Sequence, residues 1–83
     1  MTDFRAAADR YLVLIEGNSA SNFSAWSPDL PGCVAAGSSI EDAERRMREA
    51  IAFHLEGISA DSQPLPEPSG PGVYVERGAA AAA

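Results

Sequence analysis

Carboxylates, one cysteine and one histidine are the groups of this 83-residue chain that could do chemistry. Metal-dependent phosphodiester cleavage needs several carboxylates around Mg²⁺ or Mn²⁺, and the candidates are Glu16, Asp29, Glu41 and Asp42. Glu16 ends a predicted strand, and Asp29 lies in a proline-rich loop. The other two are accounted for by the start of a helix, where negative charge is favoured. Nothing in the spacing brings three of them together, so a structural interpretation is favoured over a nuclease site.

Cysteine catalysis needs a neighbouring base that lowers the pKa of the thiol. His54 is the only histidine, and helical spacing places it in the middle of an apolar face, which is typical of a core residue. Cys33 follows a Pro-Gly turn and is predicted to be a small buried packing residue. An approach of the two side chains in space stays open, because the strand and the helix that carry them must pack together. One histidine and one cysteine do not make a structural zinc site, and we predict no catalytic residue, cofactor or metal.

A dense turn segment, Ser27-Pro28-Asp29-Leu30-Pro31-Gly32-Cys33, joins two apolar runs. The two prolines fix φ and remove backbone donors, and each biases the residue before it toward extended geometry. Gly32 can adopt a φ that a Cβ would forbid. The pattern predicts a stiff loop between two strands.

This loop, with the strand before it, carries a family resemblance. Phe23-Ser24-Ala25-Trp26-Ser27-Pro28-Asp29-Leu30-Pro31-Gly32-Cys33 resembles the Tyr-Ser-Ala-x-x-Pro-Asp-Leu-Pro-Gly-Cys hallmark of HicB-like antitoxins. Four more segments resemble the family's first strand, helix start, helix end and proline-rich exit: residues 10–16, 37–43, 48–57 and 64–68. Because all five occur in the family's order, the chain is identified as a member of the HicB-like family.

The resemblance implies a fold and a partner. The fold is a truncated ribonuclease-H-like domain, and the partner is HicA, a small basic toxin that cleaves mRNA and that the antitoxin binds and masks. The candidate contact residues are Trp26, Pro28, Asp29, Leu30, Pro31, Gly32 and Phe53. Core packing is the alternative for Trp26, and a lone exposed aromatic without a role is the alternative for Phe53. Many family members carry a C-terminal DNA-binding domain, for which the residues after Pro68 are too few, so we do not expect repressor activity.

The charge of the chain favours a protein partner. The net charge is −6 with six arginines and no lysine, whereas nucleic-acid backbones are held mostly by Lys and Arg. We therefore expect no direct nucleic-acid binding, and an acidic chain fits a basic partner. No signal peptide is visible, and the longest strongly apolar run, residues 11–15, is too short to span a bilayer. The expected location is the cytoplasm.

The apolar patterning predicts an α+β domain with the order β-β-β-α-β. We expect a flexible N-terminus or a helical turn at residues 1–9, the domain at 10–77 and a disordered alanine-rich tail at 78–83. The predicted strands cover residues 11–16, 22–27, 33–36 and 73–76. A helix capped by Ser39 and ending near Gly57 covers one face of a mostly antiparallel sheet. Its apolar face has Ile40, Ala43, Met47, Ala50, Ile51, His54 and Ile58, with Leu55 at the edge.

The arginines of this helix are interpreted as a solvated surface. Arg45, Arg46 and Arg48 are flanked by acidic residues, and Asp42–Arg46 and Arg45–Glu49 have the spacing of helical ion pairs. They do not form a phosphate-binding patch in this interpretation.

The first strand is apolar on both faces, with Leu12 and Leu14 alternating against Tyr11, Val13 and Ile15. One helix covers one face only, so the other face is a candidate for a contact, and we expect a homodimer or tetramer. Shielding by the termini is the alternative. A toxin-independent oligomeric scaffold of the same fold is the second functional hypothesis, and a residual nuclease active on RNA–DNA hybrids is the third.

Overall fold

Four strands and two helices make up the computed structural model, which describes residues 3–18, 20 and 22–77. In chain order they are α1 (Phe4–Ala8), β1 (Val13–Gly17), β2 (Phe23–Trp26), β3 (Val34–Gly37), α2 (Ile40–Ala60) and β4 (Val73–Arg77). The predicted α+β class and the order β-β-β-α-β are confirmed, with α1 added before β1. The alanine-rich tail at 78–83 lies outside the described residues.

The strands form one mixed sheet in the order β3-β2-β1-β4. β2 pairs antiparallel with both β1 and β3, whereas β4 pairs parallel to β1. The parallel pairing requires a long crossover, and α2 with the proline-rich connector supplies it. The sheet is therefore mostly antiparallel, as the sequence predicts.

The N-terminus of α2 is capped as expected. The Ser39 Oγ accepts a hydrogen bond from the Asp42 N–H at 3.0 Å. The Asp42 carboxylate reaches back to the Ser38 N–H at 3.1 Å, one residue earlier than in the usual capping box. This backbone hydrogen bond is the main reason why the pKa of Asp42 lies below its usual value, and Arg45 and Arg46 lower it further.

The buried face of α2 is rotated from the predicted one. Ala43, Met47, Ile51 and Leu55 are all fully buried, so Leu55 belongs to the centre of the face and not to its edge. His54, expected in the middle of that face, is half-buried at its margin. These four residues follow one another at intervals of four positions and form a single row along the helix. The buried face is therefore narrower than the apolar face that the sequence pattern predicts.

The C-terminus of α2 lies three residues beyond Gly57, which is inside the helix. Asp61 is the C-cap, and Ser62 follows it with a φ of 57°. The Gln63 N–H donates to the Ile58 carbonyl at 3.1 Å, and the Ser62 N–H donates to the Ser59 carbonyl at 3.0 Å. These two bonds form a Schellman motif with a serine where glycine is usual.

α2 packs closely over β3 because Gly37 has no side chain. An ideal Cβ at Gly37 would lie 2.5 Å from the Ala43 nitrogen and 2.8 Å from the Ala43 Cα. Backbone atoms cannot move aside as a flexible side chain can. The glycine therefore sets the distance between the helix and this end of the sheet.

α1 lies against α2 and is held there by Arg48. The Arg48 Nη1 donates to the carbonyls of Ala8 and Tyr11, at 2.9 Å each. The Arg48 side chain is only 19% exposed, so its interpretation as a solvated residue is wrong. The predicted ion pairs of Arg45 and Arg46 on the outer side of the helix are present. Within residues 1–9, the described part contains a helix whose last residue, Ala8, is fully buried.

The connector between α2 and β4 is extended, and the side chains of Tyr11 and Asp29 both hydrogen-bond to it. The Tyr11 hydroxyl donates a hydrogen bond to the Pro66 carbonyl. The Asp29 carboxylate accepts hydrogen bonds from the Ser69 N–H at 2.9 Å and from the Ser69 hydroxyl. Tyr11, placed by the sequence in the first strand, precedes β1 and is buried at 3% exposure. No helix among the described residues has the length and apolar character needed to cross a membrane.

Candidate partner-binding face of the sheet

The two faces of the sheet differ in what covers them. On the face toward α2, Val13, Ile15, Phe23 and Ala25 are all buried, with exposures of 3% or less. Side chains alternate along each strand, so Leu14, Glu16, Ser24 and Trp26 point to the other face. Leu14 and Trp26 are half-buried there, and Glu16 and Ser24 are exposed. We call this second surface the helix-free face.

One row of apolar side chains crosses the whole helix-free face. The register pairs Tyr74 with Leu14, Leu14 with Trp26, and Trp26 with Val34, so each strand contributes one residue. Three interstrand spacings give the row a length of about 14 Å. Its ends are exposed, Tyr74 at 72% and Val34 at 67%. We call these four residues the apolar row.

The next row along the strands is acidic at one end. Glu16 is the direct register partner of Glu76 on β4 and of Ser24 on β2. Both glutamates are exposed. Like charges directly opposite each other on neighbouring strands destabilise a sheet. We call them the acidic pair, and an arginine or lysine from a partner would relieve their repulsion.

The sequence left two alternatives for Trp26, a contact with a partner and packing in the core, and its environment in the structure is intermediate between them. It is not part of the buried core, because it points away from α2 and is half-buried among its row neighbours. Leu14, Trp26, Tyr74 and Glu76 line a cavity of about 260 Å³ on this face. An indole at this position is held in place by its neighbours and still presents surface to a partner.

The proline-rich loop consists of two successive turns. The Leu30 N–H donates to the Ser27 carbonyl at 3.3 Å, and the Cys33 N–H donates to the Leu30 carbonyl at 3.1 Å. In the second turn Pro31 stands at the second position and Gly32 at the third with a φ of 85°, which is the arrangement of a type II turn. The predicted rigidity of the loop thus has a specific hydrogen-bonding basis.

The predicted contact residues of the loop have different environments. Leu30 is 1% exposed and belongs to the core, so its side chain anchors the loop; its contact with a partner stays a prediction. Pro28, Pro31 and Gly32 are exposed. Asp29 is half-buried, and its carboxylate is already engaged by Ser69.

Phe53 lies on a different surface from Trp26. It is 76% exposed on α2, and it lines a groove together with Gly32, Cys33 and Val34. The structure thus separates the predicted contacts into the helix-free face, which holds Trp26, and the groove, which holds Phe53 and Gly32.

Five residues of the apolar row and the acidic pair were not named among the predicted contacts: Leu14, Glu16, Val34, Tyr74 and Glu76. The apolar character of Leu14 on the second face of its strand was the available signal. Tyr74 and Glu76 gave none, because their position depends on β4 pairing beside β1, some sixty residues away in sequence.

The groups considered for catalysis are not assembled into a site within the described ranges. No three of the His, Cys, Asp and Glu residues there are grouped as a metal site would require. Cys33 and His54 do line the same groove. However, burial raises the pKa of the Cys33 thiol, which disfavours the nucleophilic thiolate. Cys33 is 6% exposed, as its predicted packing role requires.

Comparisons with known proteins agree on a family. A family model described as a HicB-like antitoxin of bacterial toxin-antitoxin system matches residues 11–78. A UPF0150 protein of Synechocystis sp. is 35% identical over 57 residues, which cover 69% of this chain and 72% of that protein. A UPF0150 protein of Helicobacter pylori is 42% identical over 41 residues, covering 49% of this chain and 57% of its relative.

A phage protein is similar over a shorter part of its length. An uncharacterized 14.9 kDa protein from the rep-hol intergenic region of Haemophilus phage HP1 is 45% identical over 40 residues, or 48% of this chain. The match spans only 30% of the phage protein. No solved structure matches the chain significantly. Since the family model covers most of the sequence and the Synechocystis protein aligns over two thirds of both chains, this protein belongs to the HicB-like antitoxin family of bacterial toxin–antitoxin systems.

Proposed function

We propose that this protein is an antitoxin that binds a small basic toxin of the HicA type through the helix-free face of its sheet. Family membership supports the antitoxin role. The observation that carries the choice of surface is the strand register, which aligns Tyr74, Leu14, Trp26 and Val34 in one uncovered row. The inhibition is steric, because an antitoxin bound to the toxin through this face blocks the access of mRNA to the toxin.

The apolar row has the composition of an interface centre. Tyrosine and tryptophan are enriched among the residues that contribute most to binding, and each aromatic side chain can bury about 150–250 Å². Leu14 and Trp26 are held by row neighbours on both sides. Little side-chain entropy is therefore left to lose when a partner covers them.

The charges around the row favour a basic partner. The acidic pair, Glu16 and Glu76, lies on β1 and β4, two residues beyond Leu14 and Tyr74 of the apolar row. The whole chain has a net charge of −6. An oppositely charged partner is steered toward such a surface and its cationic side chains can pair with the two carboxylates.

The family resemblance supports further proposals. The domain is a truncated ribonuclease-H-like fold, and it acts in the cytoplasm, where the mRNA substrate of such a toxin is found. The protein itself acts by binding and not by catalysis.

The test is co-expression with a short, basic open reading frame next to the gene, scored by growth and by co-purification. We expect the neighbour to arrest growth alone and this protein to restore growth as a stable complex. Tyr74→Lys should weaken the complex by about tenfold or more, because it replaces the aromatic contact at one end of the apolar row with a charge that repels a basic partner. Ser59→Lys is the control, since it adds the same charge at an exposed position of α2, away from the helix-free face.

Two outcomes would contradict the proposal in different ways. A harmless or non-binding neighbour would argue against the antitoxin role and for the second hypothesis, a toxin-independent oligomeric scaffold. Equal binding by the Tyr74→Lys and wild-type proteins would keep the role but exclude the helix-free face as the contact surface.

A further inference from the structure

One edge of the sheet is open and carries no charge. β3 is the last strand in the order β3-β2-β1-β4, so one side of its backbone has no strand partner among residues 3–18, 20 and 22–77. Its sequence, Val34-Ala35-Ala36-Gly37, has no charged residue and no proline. The opposite edge strand, β4, ends in Glu76 and Arg77. Charges and prolines are the usual protection of edge strands against pairing, and β3 has neither.

A groove with a single carboxylate in its lining, that of Asp61, runs beside this open edge. It has a volume of about 560 Å³ and lies between the loop before β3 and one side of α2. The side of α2 that lines it is a stripe at helical spacing, with Ala50, His54 and Ile58 four residues apart and Phe53 next to them. Phe53 is 76% exposed, so the stripe ends in an uncovered aromatic ring.

Gly57 lies on the same stripe, and the described fold gives no reason for it. Glycine inside a helix is less stable than alanine. No described residue has an atom within 4 Å of the position that a Cβ at Gly57 would occupy, so none of them requires a glycine there. A glycine on the exposed side of a helix has a function when another helix packs closely against that position, because it has no side chain to keep the two backbones apart.

The charge of this surface indicates what covers it. Asp61 is the only carboxylate among the residues that line the groove, and no arginine lines it. A basic partner would find little to pair with here, in contrast to the acidic pair on the helix-free face. Two copies of a chain with a net charge of −6 repel each other, so they can associate most readily where each of them presents a neutral, apolar surface.

We infer that two copies of this chain associate through β3, pairing the two strands antiparallel about a two-fold axis. The pairing joins the two sheets into one continuous sheet and satisfies the free backbone groups of both edges. It also brings the two α2 stripes side by side, with Phe53 and Gly57 of each copy in the contact. The same patch serves both partners, as a two-fold interface requires. This places self-association at the edge strand and not on the doubly apolar first strand.

Sedimentation equilibrium of the full chain tests the inference. We expect a reversible dimer, and we expect Gly57→Glu to raise its dissociation constant by about tenfold or more, because two carboxylates would be buried in the contact. Ser59→Glu is the matched control, since it adds the same charge to an exposed position on the other side of the same helical turn. It should leave the dissociation constant unchanged.

Amide hydrogen exchange at low and high protein concentration provides a second measurement. Edge pairing predicts that β3 amides become protected as the dimer forms, while those of β4 do not change. A monomer at every concentration would overturn the inference. A dimer that Gly57→Glu leaves intact, with no change at β3, would also overturn it and would place the interface on another surface.

Discussion

Arg48 has a role that its neighbouring arginines do not share. Its guanidinium donates to two backbone carbonyls, that of Ala8, the last residue of the short helix α1, and that of Tyr11, three residues later. The last carbonyls of a helix have no partner within the helix. Arg48 gives the Ala8 carbonyl a second donor beside the Tyr11 N–H, and it also donates to the Tyr11 carbonyl. The ion pairs of Arg48 with Asp9 and Glu44 are longer, at 3.7 and 3.9 Å, and contribute less.

Arg48→Ala is expected to lower the free energy of unfolding by about 1–3 kcal/mol, because it removes a charged donor from both partly buried carbonyls. The Ala8 carbonyl keeps its hydrogen bond from the Tyr11 N–H at 3.2 Å. Arg46→Ala is the control: its ion pair with Asp42 is solvent-exposed, and such pairs contribute about 0–1 kcal/mol. Urea denaturation of the two variants measures the difference. Equal losses would mean that Arg48 acts only through surface charge.

For single residues, the sequence predicted backbone conformation better than it predicted burial or hydrogen-bond partners. Pro31 and Gly32 are recognisable as a turn because their φ preferences are local properties. The burial of Leu30 depends on where the loop crosses the core, which no local pattern states. Asp29 is similar: its partner, Ser69, lies forty residues later in the chain.

Among the elements, α2 shows how a helix can end without the expected glycine. Ser62 occupies the left-handed position after the C-cap, with a φ of 57°, and the two Schellman hydrogen bonds hold it there. A non-glycine residue pays a steric cost in this region that glycine avoids. The helix terminus is therefore less stable with Ser62 than it would be with glycine at the same position.

Ser62→Gly is expected to raise the free energy of unfolding by about 0.5–1 kcal/mol, because glycine adopts a positive φ without strain. Ser59→Gly makes the same chemical change inside α2 and should lower it by about 0.5 kcal/mol. Thermal or urea unfolding of both variants gives the comparison. A loss of stability in Ser62→Gly would show that the serine side chain stabilises the terminus by a contact that outweighs the strain.

For helices and strands, the sequence predicted the features that depend on nearby residues and missed those that depend on residues far apart in the chain. The cap at Ser39 and the order of the elements follow from local chemistry and hydrophobic spacing. The parallel position of β4 beside β1 does not, since strand pairing over this distance is decided by the whole fold. The apolar row and the acidic pair both depend on that pairing, which is why Tyr74 and Glu76 were missed.

Over the whole molecule, the surface charges distinguish the two proposed contact surfaces. The helix-free face combines an apolar row with two neighbouring carboxylates, whereas the groove beside β3 is almost uncharged. Tyr74 stands on the strand farthest from β3. Pairing two copies at β3 therefore leaves the Tyr74 end of each helix-free face open. A dimer of this chain can carry one basic partner on each copy.

The mass of the purified complex with the co-expressed basic neighbour tests this arrangement. We expect two copies of each protein for the wild type and for Ser59→Glu, and one copy of each for Gly57→Glu, because that variant removes only the contact between antitoxin copies. The affinity for the neighbour should be the same in all three. Light scattering gives the mass, and titration calorimetry gives the affinity. If Gly57→Glu lost the neighbour together with the dimer, the two surfaces would be coupled, and toxin binding would require residues from both copies.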